Sequence, residues 1–298
     1  MWVVIKSLLM NFGSIFFIQM LITILFSVCA MIYDVRKNFI PDQLNYLLIA
    51  FGLISNLFLT LISANIKFIL ASFISMVITY IITYLLWKLH VWGGGDVKLF
   101  TGIATAIPIG LNIDFLNIYP RLSVYPFAFS VVINSVLVSF PFILIFVMHY
   151  IIKNDVFKTK MDFAFNMLNL DSIKYLLNSS LNKRIPIKDL NEGNIVNNYY
   201  FNDERVIQLI NDVDGNLEVY EDKTDSNFRY YFKSLSAGGI TEKDMYLIKI
   251  MSAQGIISDD ISIKVSYPYT PAIFIGLLIA IFYGDIIVLF TKNLVMVI

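Results

Sequence analysis

Long apolar runs alternate with short polar breaks through the first half of the chain, and one more run lies near its end. A helix needs roughly 20 mostly apolar residues to cross a bilayer. Six runs approach that length: 14–33, 44–63, 66–87, 97–111, 124–152 and 270–290. The pattern predicts an all-α membrane protein with six transmembrane helices. The fourth run is short and contains Pro108. The fifth is long and holds Pro126 and Pro141, which predicts a kink or tilt. The first run is too long for a signal-peptide core and lacks a small-residue cleavage site, so it reads as a span.

The pattern changes between the fifth and sixth runs. Residues 153–267 hold 14 Lys/Arg and 17 Asp/Glu, against 8 and 5 in the other 183 residues. This shift predicts a small soluble α+β insertion before the last helix. Three parts follow: a five-helix membrane region at 1–152, the insertion at 153–267 and the sixth helix at 268–298. Within the insertion, Val206–Ile210 and Leu217–Tyr220 flank Asp214-Gly215 as a hairpin. Thr241-Glu242-Lys243-Asp244 opens a helix that Gly255 can end. Ile261, Ile263 and Val265 alternate like a strand, and Asn178–Asn198 reads as loop. The segment from Asp212 has some calcium-loop spacing. Ile210 would then occupy the first ligand position, which favours a plain turn.

Composition agrees with a lipid environment. Of 298 residues, 58% are hydrophobic and 15% charged, where about 25% charged is usual in soluble domains. The formal net charge is zero, which argues against a nucleic-acid partner. The single cysteine, Cys29, excludes an internal disulfide and a cysteine-based zinc site. His90 and His149 are isolated and make a poor metal site. Basic residues near the span ends divide into two faces. Arg36, Lys37, Lys88, Lys98, Lys153, Lys158, Lys160 and Lys264 share one; Lys6, Lys67, Arg121 and Lys292 share the other. The richer face, with the insertion, is expected in the cytoplasm and both termini outside.

Few acidic residues lie outside the insertion. Asp114 reads as a loop charge, and Asp285 as a helix-end kink or packing contact. Asp42 follows Pro41 and suits a helix N-terminus. Asp34 ends the first span and Asp96 begins the fourth. Two complete spans separate them, so both belong at one membrane boundary, where a carboxylate costs a few kcal/mol. Asp96 follows Gly93-Gly94-Gly95. Glycines there disfavour helix, permit positive φ and let another chain approach closely. Lys98 is near enough to orient or screen a carboxylate, and Arg36 can favour an ionised Asp34.

Together these segments resemble the GxGD membrane aspartyl proteases, and most closely the type IV prepilin peptidase family. That family's motifs read D-x-R-x-x-x-I-P-D/N and G-x-G-D-x-K. Here they are Asp34-Val35-Arg36 with Ile40-Pro41-Asp42, and Gly93-Gly94-Gly95-Asp96-Val97-Lys98. The six-span layout with a late insertion is similar to the archaeal prepilin and preflagellin peptidases. The resemblance implies an aspartic endopeptidase with Asp34 and Asp96 as its catalytic pair and no cofactor. It implies Arg36, Pro41, Asp42, Gly93, Gly94, Gly95 and Lys98 as motif or substrate-positioning residues. Its partners would be pilin or flagellin precursors with a short basic leader and an apolar helix held in the lipid bilayer. The four-cysteine segment found beside a methyltransferase activity in bacterial members cannot be built here, so peptidase alone is implied.

Two other classes stay open. A presenilin-like or signal-peptide-peptidase-like protease also uses a G-x-G-D glycine motif, but its Pro-Ala-Leu motif is missing from this sequence. A transporter or scaffold could also carry membrane carboxylates, but no inverted repeat supports one. Nothing local in the sequence ties Asp34 to Asp96, and like charges repel. The empty site is therefore expected to hold the carboxylates more than about 4 Å apart, with Gly93–Gly95 as a hinge. Pro268 and Pro271 are expected to set the start of the last helix.

Overall fold

A computed structural model describes residues 2–89, 92–110, 113, 124–153, 182–225, 227–235, 238–264 and 267–288. Asp114, Arg121 and His90 therefore lie outside the described residues, as does the stretch 154–181. The chain forms two compact units. One holds Met1–Phe140 and Pro268–Ile298, and the other Pro141–Tyr267.

The first unit is helical. Its elements are α1 (Trp2–Lys37), α2 (Asp42–Ser63), α3 (Lys67–Lys88), α4 (Gly94–Ala106) and the first half of α5 (Phe127–Lys153). A final helix, numbered α8 in chain order, spans Thr270–Phe282. Four stretches are long and apolar enough to cross a membrane: Gly13–Lys37, Asp42–Ser63, Lys67–Lys88 and Phe127–His149. The fourth and sixth expected spans are shorter. The helices α4 and α8 have 13 residues each, or about 20 Å, against a hydrocarbon core of about 30 Å. Six full spans are thus not what the described residues form.

Local chemistry explains both lengths. Helix α4 starts at Gly94 and stops at Ala106, just ahead of Pro108, which has no N–H to continue the ladder. At the end of α8, Gly284 takes φ 100° and its N–H bonds to the Ile279 carbonyl, closing the helix. Asp285 follows and is buried. Its Oδ2 accepts the N–H groups of Val124 (2.6 Å) and Tyr125 (3.0 Å), just before α5. Asn134 on α5 returns two bonds, to the Gly284 carbonyl and from the Ile286 N–H. Asp285 therefore joins the two chain segments, the packing role open to it in sequence.

Helix α4 packs against α2 and α3, and α1 lies against α8. Leu48, Leu99, Phe100, Ile103, Val131, Ile273 and Leu277 form part of the common core. The fit of α4 on α2 needs glycine. A Cβ on Gly52 would stand 2.6 Å from the Ala106 backbone nitrogen, and one on Gly102 would stand 2.9 Å from Leu48 Cδ2. The carbonyl of Thr105 accepts from Asn56 Nδ2 (3.1 Å) and Ser72 Oγ (2.7 Å). These donors replace the helix bonds that end with α4, so its C-terminus can be buried. The outward faces of α2 and α3 expose Leu47, Ile54, Leu61, Phe73, Ile74 and Ile81. That much apolar surface suits lipid, not water.

The second unit contains two three-stranded antiparallel sheets. Strands β1 (Asn182–Pro186), β6 (Asp260–Lys264) and β2 (Ile195–Val196) form one, in the order β1-β6-β2. Strands β3 (Tyr199–Phe201), β5 (Tyr230–Ser234) and β4 (Leu217–Glu221) form the other, in the order β3-β5-β4. Register pairs Ile185 with Ile261 in the first sheet and Phe232 with both Tyr199 and Val219 in the second. Among the described residues this unit also holds the helices α6 (Glu204–Asn211) and α7 (Glu242–Ala253) and a short 3-10 turn at Ile187–Asp189. Val206, Leu217, Phe232, Ile240, Ile248 and Ile261 share one core.

Two sequence expectations in this unit need correction. The segment 206–210 is helix, not the first strand of a hairpin. Val206 and Ile210 are both buried, and a spacing of four places them on one helix face. Asp203 caps that helix by accepting the Arg205 N–H. The Arg205 side chain on the same carboxylate holds the Asp203 pKa below its ordinary range. The second correction is at 178–198, where 182–186 and 195–196 are strands rather than loop. Both pair with β6, so their structure depends on a distant segment. The α7 and β6 readings hold. Thr241 and Asp244 form a capping box, and Gly255 follows the helix with φ 69°.

Asp244 is the polar hub of this unit. It is buried, and its Oδ2 accepts from Thr241 N–H (2.8 Å), the Thr241 hydroxyl (2.7 Å) and Asn216 N–H (2.9 Å). It thus ties the α7 start to the start of β4. Gly215 packs against the same carboxylate, so the Asp214-Gly215 turn contributes to packing. Asp244→Ala is expected to destabilise the unit by about 2–4 kcal/mol, through the lost cap and buried donors left unpaired. Limited proteolysis of the full chain should show cuts within 182–264 at lower temperature than in the parent. An unchanged cutting temperature would contradict this role.

Candidate active site

The site begins at the end of α1. Asp34 is buried in the last turn, while its neighbours Tyr33, Val35 and Arg36 are exposed. Asn38 ends that helix with φ 53° and its N–H on the Asp34 carbonyl (2.8 Å). Asparagine tolerates this left-handed geometry because its short side chain can bond locally. The chain then turns through buried Ile40 into Pro41, the residue before α2.

Asp96 sits in the first turn of α4 and is also buried. Its Oδ2 reaches back to the Gly93 N–H at 3.1 Å. This is the carboxylate half of a capping box, which fixes the side chain over its own helix start. None of the three glycines takes positive φ. Gly93 is extended at φ −77°, and Gly94 and Gly95 are helical. Close approach is what requires glycine at position 95. A Cβ there would meet Ile40 Cβ at 3.1 Å and Cδ1 at 3.2 Å. Asn45 on α2 donates to the Gly95 carbonyl at 3.4 Å. The glycine-rich turn is thus pressed against the segment that follows Asp34.

The two aspartates meet at Thr270, the first residue of α8. Thr270 N–H donates to Asp34 Oδ2 at 3.0 Å, and its hydroxyl lies 3.5 Å from Asp96 Oδ1. The Thr270 hydroxyl and the Tyr269 N–H also face Asp34. The sequence offered no local tie between the aspartates, but Thr270 supplies one. Neighbouring aromatics surround this junction. Trp92 packs against Tyr269 (ring centroids 5.5 Å apart) and Phe100 (5.0 Å). Asn38, Asn45, Trp92 and Thr270 carry no signal in sequence spacing that would have nominated them. Pro268 and Pro271 marked this stretch as a helix start, without a role for Thr270.

The remaining motif residues separate. Lys98 Nζ forms an ion pair with Asp42 Oδ1 at 2.6 Å and lies over the Tyr46 ring. It therefore joins α4 to α2 instead of contacting Asp96. Arg36 is exposed, and no ion pair joins it to Asp34. Pro41 sets the start of α2, with φ −59° and ψ 129°. Among the described residues, no three His, Cys, Asp or Glu side chains could hold a metal ion. Two buried carboxylates gathered at one hydroxyl can exchange a proton as a coupled acid and base.

Comparison with known proteins covers the part of the chain that carries both aspartates. The model of the type IV leader peptidase family matches residues 21–148. A prepilin peptidase, EppA, of Methanothermobacter thermautotrophicus is 32% identical over 118 residues, 38% of this chain and 31% of that protein. A preflagellin peptidase of Methanocaldococcus jannaschii is 29% identical over 134 residues, 44% of this chain and 57% of that protein. The chain therefore spans between just under a third and somewhat over half of these relatives' lengths. Over residues 21–148, which carry both Asp34 and Asp96, the chain is related to the type IV leader peptidase family.

Proposed function

We propose that this protein is a membrane aspartyl endopeptidase. It removes the short basic class III signal peptide from pilin-like or flagellin precursors, at the cytoplasmic face of the membrane. The observation that carries this reading is the meeting at Thr270 of Asp34 and Asp96, both of which lie in the region similar to leader peptidases. The names of the two relatives support the substrate class. The excess of basic residues on the face that bears both aspartates supports the cytoplasmic side.

The reaction needs two carboxyl groups and a water. One carboxylate removes a proton from water as the water oxygen attacks the scissile carbonyl carbon. The other carboxyl gives its proton to the carbonyl oxygen, forming a neutral tetrahedral intermediate. Collapse restores the C=O bond and breaks the C–N bond. The leaving nitrogen takes a proton from the first carboxyl group, and the diol hydroxyl returns one to the second. The pair then regains its starting proton count. An apolar helix of the precursor remains in lipid while its basic leader lies at the boundary where the aspartates sit.

The test is to incubate detergent-solubilised protein with a pilin or flagellin precursor. A gel shift and mass spectrometry of the product should show loss of the leader at one bond. A precursor left intact, or cut inside its apolar helix, would overturn the proposal.

The Lys98–Asp42 pair is expected to support this activity by holding α4 on α2. Its side chains are 31% and 48% exposed, so its net energy is modest, about 0.5–1 kcal/mol. Lys98→Met and Asp42→Ala should each lower kcat/KM by less than about tenfold, and the double variant should lose no more than the worse single. Fully additive losses in this double-mutant cycle would mean the two residues act separately.

A further inference from the structure

We propose that Thr270 is a positioning residue that holds the two aspartates in working register. This rests on the reading of Asp34 and Asp96 as the catalytic pair. Thr270 is fully buried and belongs to neither aspartate's helix. As the first residue of α8, it has an N–H with no partner inside that helix. That N–H is spent on Asp34 Oδ2 at 3.0 Å. Its hydroxyl turns to Asp96 Oδ1 at 3.5 Å, while the other oxygen of Asp96 is held by Gly93 N–H. The backbone thus serves Asp34, and the hydroxyl faces both carboxylates.

The residue type and its neighbours suit that task. Threonine is stiff at χ1, so its hydroxyl direction follows from the backbone. Pro271 restricts the backbone of Thr270 in turn. Tyr269, on the other side, packs on Trp92, which packs on Phe100 of α4. The start of α8 is therefore anchored to the helix that carries Asp96. A hydroxyl both donates and accepts. It can donate to the ionised Asp96 and accept from the protonated one, whereas an N–H can only donate. At 3.5 Å the contact is long, leaving room to shorten as substrate enters.

Three variants separate this role from packing. Thr270→Val keeps the shape, the branched Cβ and the backbone N–H but removes the hydroxyl. It should lower kcat about 10- to 100-fold, with KM within about threefold, since the contact serves the reacting pair and not substrate binding. The two limbs of its pH–rate profile should shift relative to the parent. Thr270→Ser should recover most of the rate and the parental profile. Asp96→Asn serves as the control for the catalytic reading. If Asp96→Asn is inactive while Thr270→Val keeps the parental kcat and pH profile, the positioning role is wrong and the catalytic pair stands. If Ser and Val lose equal activity with the pH profile unmoved, Thr270 only packs and the proposal fails. If Asp96→Asn remains active, the catalytic reading itself fails.

Discussion

Asp34→Asn and Asp96→Asn should each lower precursor cleavage by at least about a thousandfold, with expression and membrane insertion unchanged. The amide is nearly isosteric with the carboxylate but cannot take up or give the catalytic proton. Its remaining oxygen can still accept the bonds that shape the site. At position 34 that bond comes from Thr270 N–H, and at position 96 from Gly93 N–H. The fold should therefore survive while the chemistry stops. Asp→Glu at either position should fail as well. The longer side chain moves a group that must be placed to within about 0.5 Å, and the buried surroundings of both residues leave it nowhere to retreat. Gel-shift assays on membranes matched for protein content would measure all four variants. Substantial cleavage by either Asn variant would remove that residue from the mechanism.

Gly52→Val should disable the protein by a different route. The added Cβ would lie 2.6 Å from Ala106 N, 2.7 Å from the Thr105 carbonyl carbon and 2.9 Å from Ala106 Cα. All three atoms are backbone, so no rotamer change relieves the clash and α2 must part from α4. Parting would also stretch the bonds from Asn56 to the Thr105 and Ala106 carbonyls. We expect a loss of about 3 kcal/mol or more of stability, at the upper end for overpacking. Cleavage should fall at least about a hundredfold, because α4 is the helix that carries Asp96. Gly52→Ala should show a weaker form of the same defect. Gly110→Ala is the matched control, since nothing lies within 4 Å of a Cβ built there. Thermal unfolding in detergent and precursor cleavage would be measured together. A Gly52→Val protein with parental melting and activity would show that α2 and α4 need no such close contact.

The sequence by itself determined the long apolar helices and singled out the segments of the two aspartates. Both rest on local information. Apolar runs of span length define α1, α2, α3 and α5 wherever they pack, because the bilayer rewards length and hydropathy alone. The Asp34 and Asp96 segments could be recognised because their motif residues are contiguous in sequence. The α7 capping box was legible for the same reason, since Thr241 and Asp244 are three residues apart.

Tertiary structure decided what depends on distant partners. Whether 206–210 became helix or strand turned on which face met the core, and β1 and β2 became strands by pairing with β6. The end of α4 could be buried only because Asn56 and Ser72, on other helices, satisfy its Thr105 carbonyl. Lys98 turned to Asp42, not to its near neighbour Asp96, because the packing of α4 on α2 brought a carboxylate within 2.6 Å. Thr270 was invisible in sequence for the strongest reason. A threonine before a proline is an ordinary helix start until the chain folds. Its role arises only when α8 brings one N–H and one hydroxyl to two carboxylates on two other helices, a coincidence that sequence spacing does not encode.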